Sequence, residues 1–167
     1  MLPIKTILCP TDFSEPSKLA FRMACNLAHD YSAQMIVLHI MEPPPFVTYG
    51  EMEKALQLPR GYRQELEDNL RQFQSPDSKV TVERCLREGD PVTEILSLAH
   101  ERRCDVIVMG THGRTGLAHF LMGSVAAQVV RRATCPVLTV KAPLADTQLA
   151  AKLTIEPAEA PRASTHN

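Results

Sequence analysis

The chain has 167 residues, with 18 lysines and arginines against 19 aspartates and glutamates, and its formal net charge is −1 at pH 7. This length suits one domain with a sizeable core, and the near-neutral charge gives no basic surface for nucleic acid or an anionic membrane. No apolar run is long enough to span a bilayer, and the amino terminus lacks a signal-type stretch, so the sequence predicts a cytoplasmic protein that binds neither nucleic acid nor membrane.

The first half of the chain alternates a strand, a helix and a strand. A buried strand is predicted over Ile4–Cys9, and Pro10-Thr11-Asp12 ends it. Apolar residues at helical spacing then predict a helix over Pro16–Tyr31, with Ser14 as its N-cap. A second strand follows over Met35–Ile40, and prolines end it because they cannot continue a central ladder.

The middle of the chain repeats this alternation. Residues 62–73 predict a helix. Val80 and Val82 alternate with polar residues, as in a third strand that is exposed on one side and lies near the sheet edge. Asp90 then suits the N-cap of another helix, and Pro91 suits its first position.

The last elements complete an α/β pattern. A buried strand over 105–109 leads through a glycine-rich stretch into a helix that starts near Ser124, and a final strand covers Pro136–Val140. Strands that alternate with helices predict a parallel sheet covered on both faces. Residues 142–167 carry no glycine and no aromatic residue, and they predict a flexible C-terminal tail after a single domain over 1–141.

The five cysteines predict no metal or disulfide framework. Their number is odd and no C-x-x-C pair occurs, which favours buried free thiols in a reducing compartment. Four histidines are scattered and have no metal-ligand spacing, namely His29, His39, His100 and His119, so the sequence predicts no protein metal site. The cysteines are Cys9, Cys25, Cys85, Cys104 and Cys135.

The glycine-rich stretch from Met109 to Ser124 predicts an anion-binding loop. It joins a buried strand to a helix N-terminus, where backbone N–H groups lack acceptors and the helix dipole is positive. Its glycines permit positive φ and leave no Cβ where the backbone approaches a ligand. The Ser124 hydroxyl suits either a helix cap or a phosphate contact, and a loop that only turns the chain is the simpler alternative. The glycines concerned are Gly110, Gly113, Gly116 and Gly123.

Three separated motifs give the chain a family resemblance. The spacing of Gly110, Gly113 and Gly123-Ser124 resembles the nucleotide-binding signature of the universal stress protein family, in its ATP-binding branch. Ile7–Ser14 and Val37–Ile40 are similar to the same family, and the resemblance covers roughly residues 3 to 141. It implies an open, mostly parallel five-stranded sheet in the order 3-2-1-4-5 with helices on both faces, Rossmann-like and similar to adenine nucleotide alpha hydrolases.

In that strand order, ligands bind where strands one and four diverge, so Pro10-Thr11-Asp12 would face Gly110 and the residues after it. Asp12 could simply cap a turn. The resemblance instead implies that Asp12 accepts hydrogen bonds from ribose hydroxyls or the adenine amine, and that the Ile40 backbone reaches the adenine edge. The same resemblance places four residues around the ribose and phosphates, namely Gly110, Gly113, Gly123 and Ser124.

The predicted ligand is ATP, with Mg²⁺ entering on its phosphates as an option. Arg114 would steady a phosphate, and His112 would bind phosphate, move a proton or stack on the nucleotide; a solvated surface role is equally compatible with either. No catalytic residue is predicted. The residues that complete the predicted site are Pro10, Thr11, Met109 and Val125.

Three functions fit this site. The first is an ATP-binding regulatory module of the stress response. The second is slow ATP hydrolysis at the same loop, against which stands the absence of a G-x-x-x-x-G-K-[ST] lysine in the sequence. The third is a nucleotide-free dimerising scaffold. The resemblance further implies a homodimer that forms through the final strand, Pro136–Val140.

Overall fold

The computed structural model describes residues 4–42, 61–111 and 122–141. Within these ranges the elements alternate as the sequence predicts, and most bounds lie within one or two residues of those predicted. The strands are β1 (Thr6–Pro10), β2 (Gln34–Met41), β3 (Val82–Glu88), β4 (Val106–Gly110) and β5 (Val137–Val140). The helices are α1 (Glu15–Tyr31), α2 (Tyr62–Arg71), α3 (Pro91–Glu101) and α4 (Ser124–Arg132).

The five strands form one sheet in the order β3-β2-β1-β4-β5. Each adjacent pair in this order is parallel, from Ile7 opposite Met35 in the β1–β2 pair to Gly110 opposite Val140 in the β4–β5 pair. The predicted order is confirmed, and so is the parallel arrangement. The winding direction reverses between β1 and β4, so their carboxyl ends diverge and leave a crevice.

The core has two layers because strand side chains alternate between the two faces of the sheet. On one face Ile7 and Val37 pack with the α1 residues Ala20 and Ala24. On the other face Leu8, Ile36 and Ile107 pack with α3 and α4, through side chains that include Ile95 and Val129. Helices therefore cover both faces, as predicted, and the near-continuous apolar strands are buried on both sides.

Two helices begin at the N-caps that the sequence predicts. Ser14 has extended backbone angles, and its side chain accepts a hydrogen bond from the Ser17 N–H at the start of α1. The Asp90 carboxylate accepts from the Thr93 N–H at 2.9 Å, and Pro91 occupies the first position of α3.

Helix α4 begins differently. Its N-cap is Gly123, and Ser124 is the first helical residue. The capping alternative for Ser124 is therefore wrong, because an N-cap side chain has to precede the first helical residue. The expectation that glycine supplies positive φ here is also wrong: Gly123 has φ −66° and ψ 158°, an extended conformation that any residue adopts.

The third strand differs from its prediction in where it starts. The alternation of Val80 and Val82 correctly indicates a strand, but β3 begins only at Val82 and runs to Glu88. Val80 precedes the strand in the chain and is buried in the part of the core that contacts α1. As predicted, β3 lies at a sheet edge.

The cysteines are free thiols. Cys9, Cys25 and Cys104 are buried, and Cys85 and Cys135 are half-buried. Burial raises the pKa of the Cys9 thiol and raises the pKa of Cys104 to about 11, so both thiols are protonated at neutral pH. This confirms the expectation of buried free thiols at these two positions. None of the helices within the described ranges is long and apolar enough to cross a membrane.

Candidate functional site

The turn after β1 is held by a chain of hydrogen bonds around Thr11. The Thr11 N–H donates to the Leu38 carbonyl at 2.8 Å, and Thr11 is 5% exposed. Its Oγ1 accepts from the Phe13 N–H at 3.1 Å and lies 3.0 Å from the Ser17 hydroxyl. Since the Ser17 hydroxyl donates to the Ser14 carbonyl, the Thr11 hydroxyl donates to Ser17. The Thr11 side chain therefore points into the protein, and its role is to fix the turn.

Asp12 is half-buried in this turn, directly after Pro10 and Thr11. Its Oδ1 accepts from the Ser14 N–H at 3.1 Å and from the Ser14 hydroxyl at 2.5 Å. This is the turn-capping role that the sequence left open for Asp12. A carboxylate offers two oxygens with about four lone-pair sites, so capping a turn and accepting bonds from a ligand are compatible roles.

The end of β2 forms the neighbouring wall. Ile40 is half-buried and lies opposite Arg87 of β3. His39, just before it, is 5% exposed, and its Nδ1 lies 2.8 Å from the Thr11 carbonyl oxygen. The spacing of the histidines in the sequence does not predict this contact, because Thr11 and His39 are 28 residues apart. The available signal was a single imidazole in the otherwise apolar run from Met35 to Met41.

The end of β4 is shaped by its contact with helix α1. A Cβ added to Gly110 would lie 3.0 Å from the Pro16 carbonyl carbon and 3.1 Å from its Cβ. Gly110 has no positive φ, so the expected conformational reason is wrong, and close packing against α1 is what requires a glycine here. Met109 is 6% exposed, and its side chain belongs to the core between the sheet and α3 and α4.

Two backbone hydrogen bonds fix the start of α4 beside the end of β4. The Gly123 N–H donates to the Thr111 carbonyl at 2.6 Å, and the Thr111 N–H donates to the Val140 carbonyl at 3.0 Å. The two ends of the glycine-rich stretch therefore meet at the carboxyl edge of the sheet. Ser124 and Val125 form the first turn of α4 at this edge, where backbone N–H groups have no intrahelical acceptor.

The charges of α4 favour an anion at its start. Its first turn holds no acidic residue, and Arg131 and Arg132 lie in its last turn. This distribution leaves the positive end of the helix dipole uncompensated by any carboxylate of α4 itself. Within residues 4–42, 61–111 and 122–141, no group of three His, Cys, Asp or Glu side chains could hold a metal ion.

The structure thus places most of the predicted residues at one edge of the sheet, although they come from widely separated parts of the chain. His112, Gly113 and Arg114 lie outside the described residues, as do Gly116 and the predicted tail, 142–167. The predicted residues at the carboxyl edge are Pro10, Thr11, Asp12, Ile40, Met109, Gly110, Gly123, Ser124 and Val125.

An open parallel sheet with a polar turn and a helix N-terminus at its switch point defines an α/β protein of the kind that binds ligands at the carboxyl ends of its strands. More specifically, the chain belongs to the universal stress protein family, whose family model matches residues 3–141.

Individual relatives agree with this assignment. The chain is 36% identical over 142 residues to universal stress protein MJ0531 of Methanocaldococcus jannaschii, and the match covers 83% of each chain. The solved structure of MJ0577 from the same organism is 28% identical, with a TM-score of 0.75 over 86% of this chain and 99% of that one. A universal stress protein solved in complex with cAMP is 27% identical, with a TM-score of 0.57 over 84% of this chain and 98% of that one.

Proposed function

We propose that this protein binds ATP in the crevice between β1 and β4 and acts as a nucleotide-binding regulatory module of the stress response. The observation that carries the proposal is the bond from the Gly123 N–H to the Thr111 carbonyl, 2.6 Å long. It brings the start of α4, which would bind the phosphates, to the edge that also carries the Asp12 carboxylate. A ligand that spans Asp12 and the start of α4 needs hydrogen-bond donors at the Asp12 end and negative charge at the α4 end.

An adenine nucleotide meets both requirements. Its ribose hydroxyls and adenine amine are donors for Asp12, and its phosphates suit the N–H groups of Ser124 and Val125. Ile40 would border the adenine with backbone polar groups and an apolar side chain. The relative solved with cAMP supports this class of ligand, because cAMP contains the same adenine and ribose and also a phosphate. Gly113, His112 and Arg114 would complete the phosphate contacts.

Mg²⁺ would enter on the phosphates rather than on a protein cluster, since this ion commonly keeps substrate oxygens and waters as ligands. We assign no catalytic residue in this proposal. Incubation of the protein with Mg-ATP, with ADP quantified over time, separates a binder from a slow hydrolase. A turnover that is lost in a Gly123 variant would favour the hydrolase.

Two measurements test ATP binding. Mass spectrometry of ligand released from gently purified protein should detect an adenine nucleotide. Calorimetric titration with Mg-ATP should give saturable binding, and cAMP and GTP serve as competitors for the adenine and phosphate contacts. Protein that is folded by circular dichroism and takes up no adenine nucleotide in either measurement would overturn the proposal and leave the dimerising scaffold.

We further propose a homodimer that forms through β5. This strand is last in the sheet order, next to β4. Its Leu138 is 39% exposed, and Val130 on α4 is 43% exposed. An apolar strand at a sheet edge favours pairing with a second chain, and a two-fold axis would pair β5 with its own copy. Light scattering should show a dimer at micromolar concentration and a monomer for Leu138→Lys. A monomeric parent protein would contradict the proposal.

The cytoplasm is the proposed compartment. Free thiols such as buried Cys9 and half-buried Cys135 persist most readily in a reducing environment. Cell fractionation with an antibody against the protein tests this location.

A further inference from the structure

His39 is a buried polar group whose hydrogen bond has a defined direction. It is 5% exposed, and burying an imidazole in an apolar strand is unfavourable unless its polar atoms are paired. Its Nδ1 lies 2.8 Å from the Thr11 carbonyl oxygen. A carbonyl oxygen only accepts, so Nδ1 carries the hydrogen and donates it. The His39 side chain on β2 therefore holds the backbone of the turn after β1.

The same imidazole contacts the other side of this turn. Its ring centroid lies 4.2 Å from that of Phe13, with the two planes tilted by 35°. Phe13 has φ +66°, a left-handed conformation that side-chain-bearing residues rarely adopt. Such a conformation persists when the surrounding contacts enforce it, and the Phe13 ring packs against both His39 and Phe73.

Asp12 lies between the two residues that His39 holds. The residue before it is fixed through its carbonyl and the residue after it through its ring. His39 also directly precedes Ile40, the residue proposed to border the adenine. The end of β2 therefore supports the turn that carries Asp12 and also supplies Ile40, the residue proposed to border the adenine.

We propose that His39 is a positioning residue of the nucleotide site: its Nδ1–H and its ring fix the turn that presents the Asp12 carboxylate to the nucleoside. This inference rests on the proposed function. A carboxylate gains affinity from ribose or amine donors only while it is held in the geometry they require, and a preorganised turn avoids the entropy cost of ordering it on binding. A role confined to core stability is the competing explanation.

Two variants, compared with the parent protein, separate these explanations by calorimetric titration with Mg-ATP. His39→Phe keeps a ring beside Phe13 and removes the donor. His39→Asn keeps an N–H close to the position of Nδ1. We expect ATP affinity to fall about tenfold in His39→Phe, the scale of one hydrogen bond, and to stay within about threefold of the parent in His39→Asn. Equal affinity in all three proteins would overturn the proposal.

A double-variant cycle tests whether His39 acts through Asp12. In an Asp12→Ala background the positioned group is absent, so adding His39→Phe should have no further effect on ATP affinity. Full additivity of the two losses would show that His39 acts independently of Asp12. Should His39→Phe fail to fold, Phe13→Gly replaces it in the cycle, because glycine adopts φ +66° without enforcing it.

Hydrogen exchange on the nucleotide-free protein gives a readout that is independent of ATP. The Phe13 N–H donates to Thr11 Oγ1, and the Ser14 N–H donates to Asp12 Oδ1, each at 3.1 Å. Both amides should exchange faster than in the parent in His39→Phe, and by a smaller factor in His39→Asn, which keeps the donor but loses the ring contact with Phe13. Unchanged exchange in His39→Phe would refute the positioning role even if ATP binds. A parent protein that binds no nucleotide, but whose amides respond as described, would refute the proposed function alone.

Discussion

Helices α3 and α4 pack on the same face of the sheet but begin in different ways. At the start of α3 the Asp90 carboxylate accepts from the Thr93 N–H at 2.9 Å and from the Thr93 hydroxyl at 2.7 Å. At the start of α4 the corresponding position is Gly123, whose extended backbone resembles that of Asp90 but which has no side chain. The backbone geometry is nearly shared, and the capping group is what differs.

This difference separates a structural helix start from one available to a ligand. A capping carboxylate satisfies first-turn donors and offsets the helix dipole, so α3 has no need of an external anion. Helix α2 also begins after a glycine, Gly61, but Glu65 in its first turn supplies negative charge. Among the described helices, only α4 has both a glycine N-cap and a first turn without acidic residues.

The largest expected effect comes from giving α4 the cap that α3 has. Gly123→Asp fits the backbone, because φ −66° and ψ 158° suit an N-cap residue. The new carboxylate would occupy the anion position, so we expect ATP affinity to fall by at least about 100-fold, or ~2.7 kcal/mol. The free energy of unfolding should rise by a few tenths of a kcal/mol, as for a carboxylate cap in place of glycine. Calorimetry and urea unfolding measure the two effects.

Gly123→Ser is the matched control, because it adds a cap without charge. Its ATP affinity should lie between those of the parent and Gly123→Asp. Unchanged affinity in a folded Gly123→Asp protein would show that α4 does not bind phosphate.

The next prediction concerns Asp12, whose side chain is proposed to bind the nucleoside. Asp12→Ala removes a charged acceptor and should weaken ATP binding by about 1.5–3 kcal/mol. It should also lower stability, since Asp12 Oδ1 accepts two hydrogen bonds from Ser14. Asp12→Asn keeps an oxygen for Ser14 and loses the charge, so its melting temperature should stay near that of the parent while its ATP affinity falls. Equal ATP affinity for all three proteins would reduce Asp12 to a turn cap.

The sequence predicts the features of this site that are local in the chain. The apolar runs of β1, β2 and β4 and the caps Ser14 and Asp90 follow from periodicity and side-chain chemistry within a few residues. The strand order required the family resemblance, because no local pattern says which strands pair.

Features that depend on distant contacts were not predictable in this way. The sequence predicts positive φ or close approach of a ligand as the reason for Gly110, whereas a Cβ at this position would meet Pro16 at the start of α1. The role of His39 depends on Thr11 lying on the adjacent strand end. Ser124 was a reasonable N-cap by residue type, but the cap position is set by where the chain turns into α4, which the hydrogen bond between Gly123 and Thr111 decides.

Gly110 offers a third prediction, which tests how closely the end of β4 packs against the start of α1. Gly110→Ala adds a Cβ 3.0 Å from the Pro16 carbonyl carbon, so the start of α1 has to shift. Overpacking of this kind destabilises by about 1–3 kcal/mol. Urea unfolding should show this loss. Ala126→Ser, which changes a buried small residue on α4 away from the contact, is a control for general sensitivity of the core. A Gly110→Ala protein as stable as the parent would mean that α1 yields without cost.

The smallest effect tests the capped helix. Hydrogen bonds from the Thr93 hydroxyl and then its N–H hold the pKa of Asp90 below its ordinary value of 3.8. Because the folded-state pKa is the lower one, the stabilisation is complete above the unfolded-state pKa and is lost as pH falls through the folded-state value. Asp90→Ala should therefore cost about 1 kcal/mol at pH 7, and this difference should shrink below pH 4. Asp90→Ser caps without titrating in this range, so its stability relative to Asp90→Ala should stay constant as the pH falls. Urea unfolding of the three proteins at several pH values measures these differences, and a cost of Asp90→Ala that stays constant with pH would show that the charge of Asp90 contributes nothing to the start of α3.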